Sequence, residues 1–486
     1  MSPSVSSNVL FVIAEMAPLV KVGGLGDVGG ALPPALRRLG ADVRVALPYY
    51  ASLNTGAASD LRQIASLGDS AAIWQADARG VPVYLVEHER SFGREQVYGY
   101  EDDVARFLTF CDALLAAATT MDWQPDALHL HDWHAGLLAT RLVARAEHPW
   151  SALPRVSTIH NLGITGALER GFAAEHGLAG EALAVPVGVS PEVALSGLGQ
   201  SILHADLITT VSPTYAREIL TPEYGAALAP LLQQRRDRLS GIINGIDVEE
   251  FNPATDPHLA ARFDAERLDQ RIENKRALQR QLGLPVSDDV PLVGMVARLF
   301  KQKGPDLAAA AVERALSERD FQFVLLGTGD PEYERGMTEL ATRHPERVAV
   351  RLAFDIGLGQ LIYGGSDLFL MPSRYEPCGL GQLIAMRYGA VPVVRRTGGL
   401  ADSVQPYDPS GSGTGFLFEE TKPAALADAL GQALVVYDDR RAWRDLQRRC
   451  MAQDFSWEQS ARQYLDLYEH ARDLASQRAG ATEGAR

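Results

Sequence analysis

Short apolar runs rich in Val, Ile, Leu and Phe recur along the first half of the chain. They are NVLFVIAE (8–15), DVRVALPYY (42–50), VPVYLVE (81–87), DALHLHD (126–132), PRVSTIHN (154–161), ADLITTVS (205–212) and SGIINGID (240–247). Continuous runs of this length read as strands buried on both faces. Between them ALPPALRRLG (31–40), VARFLTFCDALLAAATTM (104–121) and WHAGLLATRLVARA (133–146) carry helical spacing. A second series starts near 290: VPLVGMVARL, a helix from GPDLAAAAVERAL, FQFVLLGTGD, RVAVRLAF, SDLFLMPS, a helix from LGQLIAMRYG, and VPVVRRTGG. Strand followed by helix, repeated, predicts parallel α/β layers. The pattern gives an α/β chain of two Rossmann-like, doubly wound domains. A hinge is expected at 248–256, where Asn, Pro and Asp collect in EEFNPATDP, and another near 455.

Length agrees with two cores, because 486 residues exceed what one core accommodates. A net charge of −15 repels nucleic acid and anionic lipid, so neither is expected as a partner. An anionic ligand would have to be drawn by local cations. Cys111, Cys378 and Cys450 lie far apart and fit no zinc or disulfide spacing, which suits a reducing, cytoplasmic setting. No signal peptide or membrane span is read at the start; residues 1–7 read as a disordered lead and 476–486 as a disordered tail.

The stretch KVGGLGDVGG (21–30) follows the first apolar run. Ligands of open α/β sheets bind beyond the carboxyl ends of strands. Glycines admit a ligand to the backbone, the next helix offers unpaired N–H groups, and Lys21 adds a full charge; together these suit a phosphate. The alternative is a tight strand–helix turn that binds nothing. The spacing does not match the G-x-G-x-x-G of a nicotinamide site. In the second half, VARLFKQKGPDL places Arg298 and Lys303 just past a strand ending near Val296, which reads as a diphosphate clamp or as a solvated basic turn. PSRYEPCGLGQLIAMRYG places Glu376 and Cys378 before a Gly-led helix from about 379, whose first N–H groups offer a second anion site. Glu376 reads as a ligand for sugar hydroxyls or as a helix cap. Cys378 reads as a small residue packing behind Glu376, with a nucleophile or a redox switch as the other readings. His129, His131 and His134 in HLHDWH, with His160, invite a zinc reading, but His134 falls on the following helix and no site is expected.

These motifs, with TIHNLGITG, ADLITTVSPTYAREI, LSGIINGID, VRRTGGLADSV and MAQDFSWE, run in one order from about 8 to 470. The chain thereby resembles bacterial glycogen synthases and plant starch synthases, retaining glucosyltransferases of the GT-B type. The resemblance implies two Rossmann-like domains facing a deep cleft: 1–247 on the acceptor side with the glycine loop, 248–455 on the nucleotide-sugar side, and a helix at 456–475 returning to the first domain. It implies transfer of glucose from ADP-glucose to the 4-hydroxyl of an α-1,4-glucan such as glycogen, with retention and with no metal or other cofactor. It places Lys21, Gly23, Gly24, Asp27, Asn161, Phe354, Cys378, Gly379 and Leu380 at the donor. It puts Tyr98, Asp132, Trp133 and His134 on the acceptor side, and it gives Glu376, His160, Arg298 and Lys303 the catalytic roles.

The chain departs from the family pattern after His160–Asn161, where LGITGALERG stands. Gly199 replaces a lysine, and Ile384 stands where the wider group of sugar transferases carries a second Glu. Three other readings stay open. A nucleotide-sugar epimerase would need no glucan, and a non-catalytic glucan binder would have no use for a diphosphate clamp. A dehydrogenase lacks its fingerprint here.

Overall fold

A computed structural model describes residues 7–68, 70–178 and 183–483. The chain divides into two compact units, Met1–Gly245 with Trp457–Arg486, and Ile246–Ser456. The first unit is built on nine strands among the described residues: β1 Asn8–Val12, β2 Asp42–Pro48, β3 Ser59–Ser66, β4 Ala71–Ala78, β5 Val81–His88, β6 Ala127–His131, β7 Arg155–Ile159, β8 Leu207–Thr210 and β9 Leu239–Gly241. Their order is β3-β4-β5-β2-β1-β6-β7-β8-β9. From β5 to β9 every pairing is parallel, whereas β3 and β4 form an antiparallel hairpin at one edge. That hairpin departs from the purely parallel expectation. Its outer strand, SDLRQIAS, is mostly exposed and has no apolar run to announce it.

Helix α1 spans Gly24–Arg38, α2 Asp103–Ala117, α3 Asp132–Ala144 and α4 Gly197–His204. α1 starts seven residues before the expected ALPPALRRLG segment, so most of the glycine stretch is helix. Gly29 and Gly30 explain why: a Cβ at either would collide with the backbone carbonyl of Glu15 or Ala17. These two glycines let the helix lie against the chain leaving β1. Gly23 and Gly24, by contrast, face open space. The Gly-rich segment before β8 has a similar cause. α3 and α4 pack so closely that a Cβ on Gly136 would meet the Gly197 carbonyl at 2.7 Å. At Gly199 a side chain would strike the Val193 carbonyl.

The second unit carries six strands among the described residues: β10 Leu292–Val296, β11 Gln322–Leu326, β12 Val348–Arg351, β13 Leu368–Met371, β14 Val391–Arg395 and β15 Phe416–Phe418. All its pairings are parallel, in the order β12-β11-β10-β13-β14-β15, which is the Rossmann order. α5 (Pro305–Glu318) follows β10, and α6 (Gly381–Arg387) precedes β14. Phe323, Val324, Leu368 and Phe369 are wholly buried in the core; each such side chain contributes about 1.5–3 kcal/mol.

The segment expected to be a hinge, 248–256, is instead fastened within the second unit. Arg387 donates to the carbonyls of Phe251 and Val248 at 2.8 and 3.1 Å, and Tyr388 Oη donates to Asp256 at 2.6 Å. The unit boundary lies just before, between Gly245 and Ile246.

The last helix, Trp457–Glu483, packs on α1. Ser460 donates to the Ile243 carbonyl at 2.6 Å, and Arg472 donates to Ser7 at 2.7 Å. The tail expected from 476 is helical to Glu483, in keeping with the good helix formers Ala, Gln and Arg; the remaining tail and residues 1–6 lie outside the described residues. Among the described residues no helix is long and apolar enough to cross a membrane.

A buried ion pair anchors the second core. Lys275 Nζ sits 2.8 Å from Asp367, which also accepts the Leu292 amide at 2.9 Å. Lys275→Ala removes the nearer cation from that carboxylate and leaves it the Leu292 amide, the Tyr437 hydroxyl at 3.2 Å and Arg271 at 3.9 Å, so this unit should lose about 3 kcal/mol in urea unfolding; an unchanged midpoint would contradict the role.

Candidate active site

In both sheets the strand order turns outward from one central pair, β1 with β6 and β10 with β13. At such a switch point the two following connections part, leaving a crevice at the carboxyl ends. The residues singled out in the sequence fall on these connections or on those of neighbouring strands. Lys21–Asp27 follow β1, Asp132–His134 follow β6, and His160–Asn161 follow β7. Arg298 and Lys303 follow β10, Phe354 follows β12, and Glu376–Leu380 follow β13.

In the first unit the organising group is one the sequence reading missed. Glu15 is 3% exposed. Its Oε2 accepts the amides of Val22 and Gly23 at 2.6 and 2.9 Å, and its Oε1 accepts Tyr98 Oη at 2.9 Å. The amides foreseen as a phosphate cradle thus already hold a carboxylate, which also complements the positive end of α1. Among the described residues Gly24 and Leu25 keep their amides free of such a partner. Lys21 pairs with Asp27 at 2.5 Å on the surface. The available signal for Glu15 was a charged residue closing an apolar strand.

Asp132 takes φ +55 at the start of α3, an uncommon conformation for a residue with a side chain. Its Oδ1 accepts the amides of His160 and Asn161 at 2.7 and 3.3 Å. Burial raises its carboxyl to about 7. Trp133 and His134 are buried too, and His134 stacks on Tyr98 with centroids 5.0 Å apart. Expected on an acceptor surface, all three are buried: Asp132 holds the His160 turn, while Trp133 and His134 pack against Phe107 and each other. Burial lowers His134 and His160 to about 3 and holds His129 and His131 well below the ordinary range. Among the described residues no cluster of His, Cys, Asp or Glu has the makings of a metal site.

In the second unit two residues foreseen separately meet: Lys303 Nζ lies 2.5 Å from Glu376 Oε2, which also accepts Ser373 Oγ at 2.9 Å. Glu376 is 4% exposed. It is no helix cap, since α6 begins at Gly381, two residues later than expected, after Gly379 turns at φ +75. The Glu376 carbonyl accepts the Gly399 amide at 3.0 Å, and only glycine fits at 398, where φ is +43 and a Cβ would strike that carbonyl. Gln382 Nε2 donates to the carbonyls of Cys378 and Gly379 at 3.1 and 2.9 Å. Arg374 grips Asp306 of α5 with two bonds, at 2.8 and 2.6 Å, fastening the loop after β13 to the loop after β10. Cys378 is buried, whereas Arg298 is exposed and makes no ion pair among the described residues. Phe354 is 88% exposed.

Residues 8–234 match the starch synthase catalytic domain, and 278–449 match the glycosyl transferases group 1 family. Two parallel-sheet units of this order, with these matches, define a glycosyltransferase. The glycogen synthase of Syntrophotalea carbinolica is 45% identical, over 96% of this chain and 99% of its own. That of Anaeromyxobacter dehalogenans is 48% identical, over 95% and 99%. The catalytic domain of starch synthase IV from Arabidopsis thaliana, solved with ADP and acarbose, superposes with a TM-score of 0.87 at 36% identity, covering 96% of this chain and all of that one. Sucrose-phosphate synthase from Thermosynechococcus elongatus, at 20% identity and a TM-score of 0.59, shares the fold. The chain belongs to the glycogen synthase family.

Two outcomes are expected. Glu15→Ala leaves two amides and a phenol without an acceptor and should cost the first unit roughly 1–3 kcal/mol in urea titration, while Glu15→Gln, which keeps an acceptor oxygen, costs less. The buried histidines refuse protons that the unfolded chain accepts below about 6.5, so their stability is full above that pH and lost as pH falls toward 3. Asp132 works the other way, losing stability as pH rises from about 4 to 7, but it is one group against four. The urea midpoint should therefore drop below pH ~6.5, and drop less in His134→Phe.

Proposed function

We propose that this chain elongates glycogen by moving glucose from ADP-glucose to the non-reducing-end 4-hydroxyl of an α-1,4-glucan, with retention of configuration. The observation that carries this reading is the Lys303–Glu376 pair beside Arg298 at the second unit's switch point. The departing group is a diphosphate, and charge grows on its oxygens as the anomeric bond breaks. Arg298 brings an unspent guanidinium. Lys303 has three N–H bonds and commits one to Glu376, so two remain for phosphate oxygens. Glu376 keeps its second oxygen for a sugar hydroxyl while its first holds the lysine.

Lys21, Gly23, Gly24 and Asp27, at and just before the start of α1, are assigned to the donor, with open space beside both glycines. Phe354 offers an unburied ring to adenine, and the ADP in the plant starch synthase structure supports that donor. His160 and Asn161, held by Asp132, meet the glucosyl ring, and Tyr98 stands on the acceptor side with Asp132, Trp133 and His134 supporting it. Retention follows from attack on the face the leaving group vacates, since the reading assigns no carboxylate to the opposite face. The cations carry the charge that a metal would otherwise neutralise, so the proposed reaction needs none. We place it in the cytoplasm, since the three cysteines are buried and form no disulfide among the described residues, as a reducing compartment keeps them.

Released ADP measured with glycogen and a panel of sugar nucleotides tests this. Arg298→Ala and Lys303→Ala should each lower kcat/KM on the order of a hundredfold. Wild-type rates in both would overturn the assignment; ADP release that does not depend on glucan would point to hydrolysis, and an isomerised sugar nucleotide with no ADP release would point to the epimerase.

A further inference from the structure

β6 buries two histidines side by side, and they differ in one respect. His129 has a partner on each nitrogen: Tyr468 Oη at 2.7 Å from Nδ1 and Thr158 Oγ1 at 2.6 Å from Nε2. His131 is equally buried but has one partner only. Its Nδ1 lies 2.9 Å from Nε2 of His160, and its own Nε2 has none among the described residues. The His131 ring lies against Phe11, with centroids 3.9 Å apart, and against His129 at 4.0 Å.

Burial keeps these imidazoles neutral, so each ring holds a single N–H. The contact between His131 and His160 then has two arrangements. If His160 donates from Nε2, the proton of His131 must sit on its Nε2, a buried N–H aimed at nothing. Orphaned buried N–H groups are among the rarest features of folded proteins. If His131 donates from Nδ1, only a bare lone pair is left inside, and no donor is stranded.

We propose that His131 is a positioning residue that fixes the tautomer of His160: His131 Nδ1–H donates to His160 Nε2, and His160 carries its proton on Nδ1. Nδ1 is the one nitrogen of His160 with no partner among the described residues. His160 therefore presents a hydrogen-bond donor. It can grip a sugar oxygen, and it has no free lone pair with which to take the proton of an attacking hydroxyl. That catalytic consequence rests on the role proposed for His160 above; the tautomer does not.

The test is nitrogen-detected proton NMR of full-length protein labelled with 15N-histidine, the His160 signals being identified by their loss in His160→Ala. A protonated-type Nδ1 and a bare-type Nε2 in the wild type are expected; the reverse pattern overturns the proposal without any assay of transfer. His131→Asn keeps a donor where Nδ1 stands and should preserve the pattern. His131→Phe keeps the packing, removes the donor and should move the proton to Nε2. In parallel, kcat/KM with ADP-glucose and glycogen should fall on the order of a hundredfold in His131→Phe and largely recover in His131→Asn. An unmoved His160 spectrum in His131→Phe removes His131 from the role. A moved spectrum with an unchanged rate keeps the tautomer and refutes the catalytic reading of His160.

Discussion

Two parallel strands whose following connections leave in opposite directions cannot cover their own carboxyl ends. That constraint governs both halves of this chain, at β1/β6 and at β10/β13. Everything functional is arranged around it: the loops that begin there carry the charged groups, and the helices that follow bring their positive ends toward the same place. Gly29, Gly30 and Gly398 occupy positions where the chain passes too close to a neighbouring carbonyl for any side chain.

Each crevice also contains its own anion. Glu15 occupies the amides at the start of α1, and Glu376 occupies Lys303. Both carboxylates are nearly inaccessible to water, so each depends on its hydrogen bonds to remain tolerable there. The effect is to hold cationic and N–H groups in fixed directions at the carboxyl ends of the strands.

Most of the parallel framework was legible because buried parallel strands are written as unbroken apolar runs. The β3–β4 hairpin was not, since its outer strand has water on both sides and carries charge. β15 is three residues long and too short for any periodicity. The 248–256 segment looked like a hinge by composition, but its Asn and Asp residues make turns that Arg387 and Tyr388 then fasten down. Around the strand ends, motifs placed individual residues on the connecting segments, while their partnerships were not written in the sequence. Tyr98 lies 83 positions from Glu15, and Lys303 lies 73 from Glu376; only the folded sheet order brings such pairs together.

The helix beginning at Trp457 has a bearing on biogenesis. It supplies Tyr468 to His129 and covers α1, so the first unit lacks part of its interior until residues beyond the whole second unit have been made. The second unit is one uninterrupted segment, Ile246–Ser456, and emerges whole before that helix does. On the ribosome, where domains condense as units, the half made later can close first, and the half begun earlier waits for the segment that follows it.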